Sequence, residues 1–228
     1  MSILRKGIPV LSAALCFILF TTSATARSHK KKRSDNASAQ SGNFSYYLLS
    51  LSWAPDFCAG PTGDKDPREC GKGRKVGFVV HGLWPQGENS RGPEKCGPAR
   101  PVSQAIIAST LKYIPTESLI QHEWANHGTC SGLSSADYFA AVRKARDSVK
   151  IPQELAAPSQ EQQLSASQIE AEFAAANPNF PKAAFRVSCT RGQLQEARIC
   201  FNKDLSPRDC TDSAGECSIN QMVVLPVQ

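Results

Sequence analysis

From Tyr46 to Trp53 the chain reads YYLLSLSW, an aromatic and aliphatic run of strand length. A second buried strand is predicted over Val76–Val80, leading directly into His81. Between them, 56–73 is rich in Pro, Gly and charge and reads as a loop that Cys58 and Cys70 could staple. A further loop follows over 87–101. Apolar residues at Val102, Ile106, Ile107, Leu111 and Ile114 recur close to a helical period. Ser118–Asn126 reads as a short helix. Ser134 or Ser135 can cap another helix through Val149, with Tyr138, Phe139 and Val142 inward. Ser167 can cap a third through Ala176, ended by Asn177-Pro178. Phe185–Cys189 and Leu194–Phe201 read as paired strands around Arg191-Gly192, and Met222–Val227 as a last strand. Strands and helices mix without regular alternation and without an internal repeat, which predicts an α+β fold.

The first 26 residues have a secretory leader's pattern. Arg5 and Lys6 precede an apolar stretch from Ile8 to Phe20, and Ala24-Thr25-Ala26 offers a small-residue cleavage site. The stretch is too short to span a bilayer comfortably. Residues 27–42 are a polar, basic tail expected to be disordered or trimmed. The remainder, 43–228, is sized for one domain. Sequons stand at Asn36 and Asn43.

Eight cysteines lie beyond the leader: Cys58, Cys70, Cys96, Cys130, Cys189, Cys200, Cys210 and Cys217. An even number in an exported chain implies four disulfides, with roughly a hundred possible pairings. No paired Cys-x-x-Cys pattern supports a zinc site instead. The whole chain carries a net charge of +6, but from Asn43 onward 19 basic residues balance 19 acidic ones. The basic pI is therefore no argument for nucleic-acid binding, and any anion site must be local.

The chain has four histidines. His29 lies in the basic tail. The other three fall in two short motifs, HGLWPQ at 81–86 and HEWANHGTC at 122–130. Histidine is the side chain best matched to proton transfer near neutral pH. On a helix, Glu123 and His127 are four apart and share a face, as do His122 and Asn126. His122 and His127 are five apart, roughly 140° around the axis. A His-Glu-x-x-His zinc protease needs its histidines four apart, so that chemistry is disfavoured. Two histidines and a carboxylate without a metal suit cleavage of a phosphodiester by an internal hydroxyl. One group takes a proton from the nucleophile, another gives one to the leaving oxygen, and donors stabilise the phosphoryl oxygens. RNA carries such a hydroxyl at its 2′ position and DNA does not. Blander readings stand beside this one. Trp84 and Trp124 can be core aromatics, more readily Trp124. Glu123 can be an ion-pair partner, and a lone His81 would be structural. Ser134 and Asp137 are helix-capping residues.

These two motifs, in this order and separation, resemble the active-site segments of the ribonuclease T2 family of secreted endoribonucleases. YYLLSLSWAPDFC at 46–58, IEAEF at 169–173 and LQEARICF at 194–201 also resemble family segments, so the likeness covers about 43–217. The resemblance implies a central antiparallel sheet flanked by helices. It implies His127 as general base on the 2′-OH, His81 as general acid on the 5′-oxygen and His122 as a phosphate-binding residue. Glu123 would polarise the phosphate and support the histidines, and Trp84 would stack on a nucleobase. It further implies the bridges Cys96–Cys130, Cys58–Cys70, Cys189–Cys217 and Cys200–Cys210.

The chain departs from the family at two positions. Most active members carry lysine where this chain has Asn126. Losing one such charge stabiliser costs about 10²–10³ in rate. Activity is then reduced, or an Arg or Lys from a loop compensates. At Gln86 some members have an acidic residue that helps choose the base; glutamine offers both donor and acceptor. The expected protein is an exported, periplasmic or extracellular monomer that needs no cofactor or metal. It would cleave single-stranded RNA but not DNA, through a 2′,3′-cyclic phosphate to 3′-phosphate ends, with no membrane attachment once the leader is removed. The alternative is a catalytically weak or inactive member that binds RNA or a protein partner.

Overall fold

The computed structural model describes residues 41–61, 63, 66–88, 90, 92–211 and 217–227. The leader, the basic tail up to residue 40 and the sequon at Asn36 lie outside them. Of the tail, Ser41 and Gly42 are described: they hydrogen-bond to the carbonyls of Thr129 and Cys130.

In chain order the elements are β1 (Tyr46–Trp53), α1 (Ala54–Ala59), α2 (Pro67–Cys70), β2 (Phe78–Gln86), α3 (Gln104–Thr110) and α4 (Glu117–Asn126). They continue with α5 (Ser135–Ser148), α6 (Gln153–Ala156), β3 (Gln162–Leu164), α7 (Ala166–Ala176), β4 (Phe185–Thr190), β5 (Gln193–Phe201) and β6 (Met222–Val224). Six strands form one sheet in the order β2-β1-β5-β6-β3, with β4 also paired to β5. All pairings are antiparallel except a single parallel contact between β5 and β6. This is the α+β architecture expected, with helices flanking a mainly antiparallel sheet.

β1 is central and explains the two sides of the sheet. Strand alternation sends Tyr47, Leu49, Leu51 and Trp53 into the main core. There they meet Tyr138, Phe139 and Val142 of α5 and Ile169 and Phe173 of α7. The opposite face carries Tyr46 and Leu48 against the Cys200–Cys210 bridge and Trp84, and then two serines, Ser50 and Ser52. This second face holds the site. All four disulfides join the expected partners, each contributing about 2–4 kcal/mol.

Several boundaries differ from expectation. β2 does not end before His81 but runs through Trp84 and Pro85 to Gln86. It pairs along the full length of β1, whose backbone groups need partners. As an edge strand it tolerates a proline. The 56–73 segment is not all loop: α1 runs into it as far as Ala59 and α2 lies within it, and the Cys58–Cys70 bridge ties the two helices together. The helix expected over 102–114 is α3 alone, seven residues long. The cap of α7 is Ser165 rather than Ser167: Ser165 accepts from the Gln168 amide and the Gln168 side chain accepts from the Ser165 amide. The last strand closes at Val224. Helix α5, capped by Ser134, and the β4–β5 hairpin stand as expected, the latter turning on positive φ at Arg191 and Gly192. No helix of the described residues is long and apolar enough to cross a membrane.

Candidate active site

His81 is a bulge residue. Along β1, Ser50 pairs with Gly82 and Leu51 with Val80, so no residue of β1 faces His81. A bulge frees a side chain from strict alternation and re-aims it. The half-buried His81 ring turns over the serine face, where its Nδ1 lies 2.8 Å from Glu196 Oε1 on β5. Its Nε2 lies 3.8 Å from Glu123 Oε1.

Glu123 arrives from α4, which Thr116 caps by accepting from the Leu119 amide. Its carboxylate is 1% exposed and presses against the sheet. Only glycine fits opposite it: a Cβ on Gly82 would collide with Glu123 Oε2 and Trp84 Nε1. Gly82→Ala is therefore expected to displace Glu123 and to cost about 1–3 kcal/mol by overpacking. Chemical denaturation beside an RNA-cleavage assay checks this, and unchanged stability and rate would refute it. Trp84 Nε1 donates to Glu123 Oε2 at 2.8 Å. Glu123 Oε1 has no hydrogen-bond partner among the described groups. Burial raises the Glu123 carboxyl to about 7; the His81 charge and the Trp84 hydrogen bond oppose this, and Glu196 and Glu94 add to it.

His127 sits at the C-cap of α4, its amide donating to the Glu123 carbonyl at 3.0 Å. The chain then makes a tight turn over Gly128–Cys130, tied by the Cys96–Cys130 bridge. Gly128 allows that turn, because a Cβ there would strike Trp124 and Tyr138. The Trp84 ring lies against both histidines, its centroid 5.1 Å from that of His81 and 5.4 Å from that of His127. Their environments pull them apart. Burial lowers His127 to about 4, helped by positive charge on His81 and His122. Burial also pushes His81 down, but the Glu196 hydrogen bond and the charges of Glu123 and Glu196 outweigh it, and its pKa is raised.

The remaining expected residues take other places. Asn126 donates its amide to the His122 ring, 2.6 Å from Nε2 and 3.2 Å from Nδ1. Gln86 stands one pleat beyond Trp84, and its Oε1 accepts from the Gly92 amide, leaving its amide donors. Trp124 packs on the core at 5.9 Å from Tyr138. Two clefts meet at His81. One, of about 310 Å³, is lined by Ser52, Phe57, Asp66, Glu69 and Leu119. The other, of about 380 Å³, is lined by Phe57, Arg191, Gln195 and Glu196.

Motif reading missed Glu196 and Arg198. Arg198 donates to Glu196 Oε2 from Nε at 2.9 Å and from the guanidinium end at 2.7 Å, and its Cζ lies 5.8 Å from the Trp84 ring centre. A signal was available. In QEARICF the charges at 196 and 198 alternate with apolar Ala197, Ile199 and Phe201, so both fall on one face of a central strand. Buried charges there need partners.

The chain matches the ribonuclease T2 family model over residues 44–210. The chain belongs to the ribonuclease T2 family. Among its relatives, a probable ribonuclease of Haemophilus influenzae is 33% identical over 72% of this chain and 60% of that protein. A ribonuclease of Aeromonas hydrophila is 32% identical over 74% of this chain and 76% of its own. The chain thus spans 60% of the Haemophilus protein's length. Among solved structures, an RNase-related protein from Calystegia sepium superposes with a TM-score of 0.63 at 23% identity, covering 80% of this chain and 97% of that one. Ribonuclease MC1 from bitter gourd seeds gives 0.59 at 23%, covering 78% and 99%. These two likenesses are of the T2 fold.

Proposed function

We propose that this T2-family chain is an exported endoribonuclease, periplasmic or extracellular and monomeric, that cleaves single-stranded RNA by metal-independent transesterification. The observation that carries the reading is a pair of histidine rings that both lie against Trp84, with pKa values displaced in opposite directions. Such a pair divides the labour of acid and base. At mildly acidic pH His127 is neutral and takes the 2′-OH proton. The 2′-oxygen attacks phosphorus, the P–O5′ bond breaks, and protonated His81 delivers its proton to the leaving oxygen. The products are a 2′,3′-cyclic phosphate and a free 5′-hydroxyl; slower attack by water on the cyclic ester leaves a 3′-phosphate. Glu123, neutral over the same range and 3.8 Å from His81 Nε2, is the residue proposed to support the histidines and polarise the phosphate. His122 is the residue proposed for the phosphate, and Trp84 and Gln86 are those proposed for the upstream base. The two clefts at His81 offer room for the downstream nucleotide. DNA, lacking the 2′-OH, is not a substrate.

The test is digestion of single-stranded RNA by the oxidised protein in excess EDTA, with matched DNA as control, across a pH series. Cyclic-phosphate ends from RNA alone are expected. The kcat/KM profile should be a bell: it rises as His127 loses its proton near pH 4 and falls as Glu123, near 7, and His81, its pKa raised, lose theirs. Intact RNA at every pH would sink the cleavage reading and favour an RNA- or protein-binding role, for which Asn126 in the lysine position is the motivating feature.

A further inference from the structure

We infer that Glu196, clamped by Arg198, is a positioning residue for His81, accepting its Nδ1 proton so that the Nε2 proton faces the leaving 5′-oxygen. This rests on the reading of His81 as the acid. Strand register makes the contact possible. β2 and β5 both pair with β1 but not with each other, so they lie about 10 Å apart across it. A side-chain contact over that gap needs small residues on the strand between. Ser50 pairs with Gly82 and Arg198, and Ser52 pairs with Glu196, so serines floor the gap. The bulge at His81 supplies the remaining turn of the ring.

The carboxylate is fully committed. Glu196 is 4% exposed; Oε1 faces His81 at 2.8 Å, and Oε2 takes both Arg198 bonds. Burying an ion pair on a sheet face is a poor route to stability, since desolvation offsets the attraction. It does hold a carboxylate ionised: burial would raise the Glu196 pKa, but His81 and Arg198 bring it down to about 2. An ionised acceptor at Nδ1 selects one tautomer and one ring orientation, as carboxylate partners do for other functional histidines. The groups facing His81 are Glu123 from α4, Glu196 and Arg198 from β5, Glu69 from α2 and the His127 ring. Of these only Glu196 lies within hydrogen-bond distance of it.

Glu196→Gln separates the roles. With Arg198 holding the amide oxygen, the amide NH₂ would face Nδ1, and the protonated ring would lose its acceptor. The substrates are a dinucleoside monophosphate, whose alkoxide leaving group needs a proton, and a ribonucleoside 3′-(4-nitrophenyl phosphate), whose leaving group does not. The variant is expected to lose about 10–100-fold in kcat on the dinucleotide and less than threefold on the aryl ester, with the alkaline limb shifted to lower pH. Loss in the same proportion on both substrates would overturn the assignment to Glu196. Wild-type protein that turns over neither substrate would instead overturn the cleavage reading. Nitrogen-15 imidazole spectra of the wild-type protein test the contact without a variant: neutral His81 should carry its proton on Nδ1. An Nε2–H tautomer would refute the proposal.

Discussion

His127→Ala is expected to slow RNA cyclisation by about 10²–10⁴-fold, the usual worth of a general base. The base must be neutral when it acts, and burial holds the His127 pKa near 4. It is therefore ready at mildly acidic pH, where His81 is still protonated. Alanine removes the proton acceptor but leaves the Trp84–Glu123 and His81–Glu196 hydrogen bonds in place, because neither passes through His127. kcat should fall while KM changes little. The loss should be as large on the aryl ester as on the dinucleotide, since both need the 2′-OH deprotonated. That pattern is the opposite of the one expected for Glu196→Gln. Initial rates on both substrates, with circular dichroism to verify folding, decide the matter. A variant keeping more than a tenth of the wild-type rate would remove His127 from the base role.

Asn126→Lys is expected to raise kcat on RNA by up to about 10²–10³-fold, the worth of one transition-state charge stabiliser. Asn126 is the last residue of α4 and shares a face with His122. Its side-chain amide is uncharged and is hydrogen-bonded to the His122 ring. Lysine would supply a positive charge and release His122 for the phosphate. A cation at a helix C-terminus is also favoured by the helix dipole, by about 0.3–1 kcal/mol, so stability should not suffer. Steady-state kinetics at low and moderate salt check the gain. An unchanged rate would mean that another cation already neutralises the phosphoryl oxygens.

Much of this protein is legible along the chain. YYLLSLSW reads as an aromatic and aliphatic run of strand length, and it is β1, paired on both edges. HEWANHGTC put Glu123 and His127 four apart, and the end of α4 joins them by the hydrogen bond from the His127 amide to the Glu123 carbonyl. The hairpin at Arg191-Gly192 and the Ser134 cap were likewise local matters of turn and cap chemistry. Such features depend on neighbours a few residues away, and periodicity records them faithfully.

What only the tertiary structure decided depends on strands remote in sequence. The length of β2 was set by the need of β1 for backbone partners, and the local pattern around Pro85 could not announce it. The bulge exists only as a mismatch between two strands, yet it aims His81. Gly82 is explained by a carboxylate forty-one positions later, which no window around it contains. Glu196 reaches His81 because two serines of a third strand leave the space between them. Composition and spacing supplied the histidines and the carboxylate. Their opposite protonation came from burial and from charges brought together by folding.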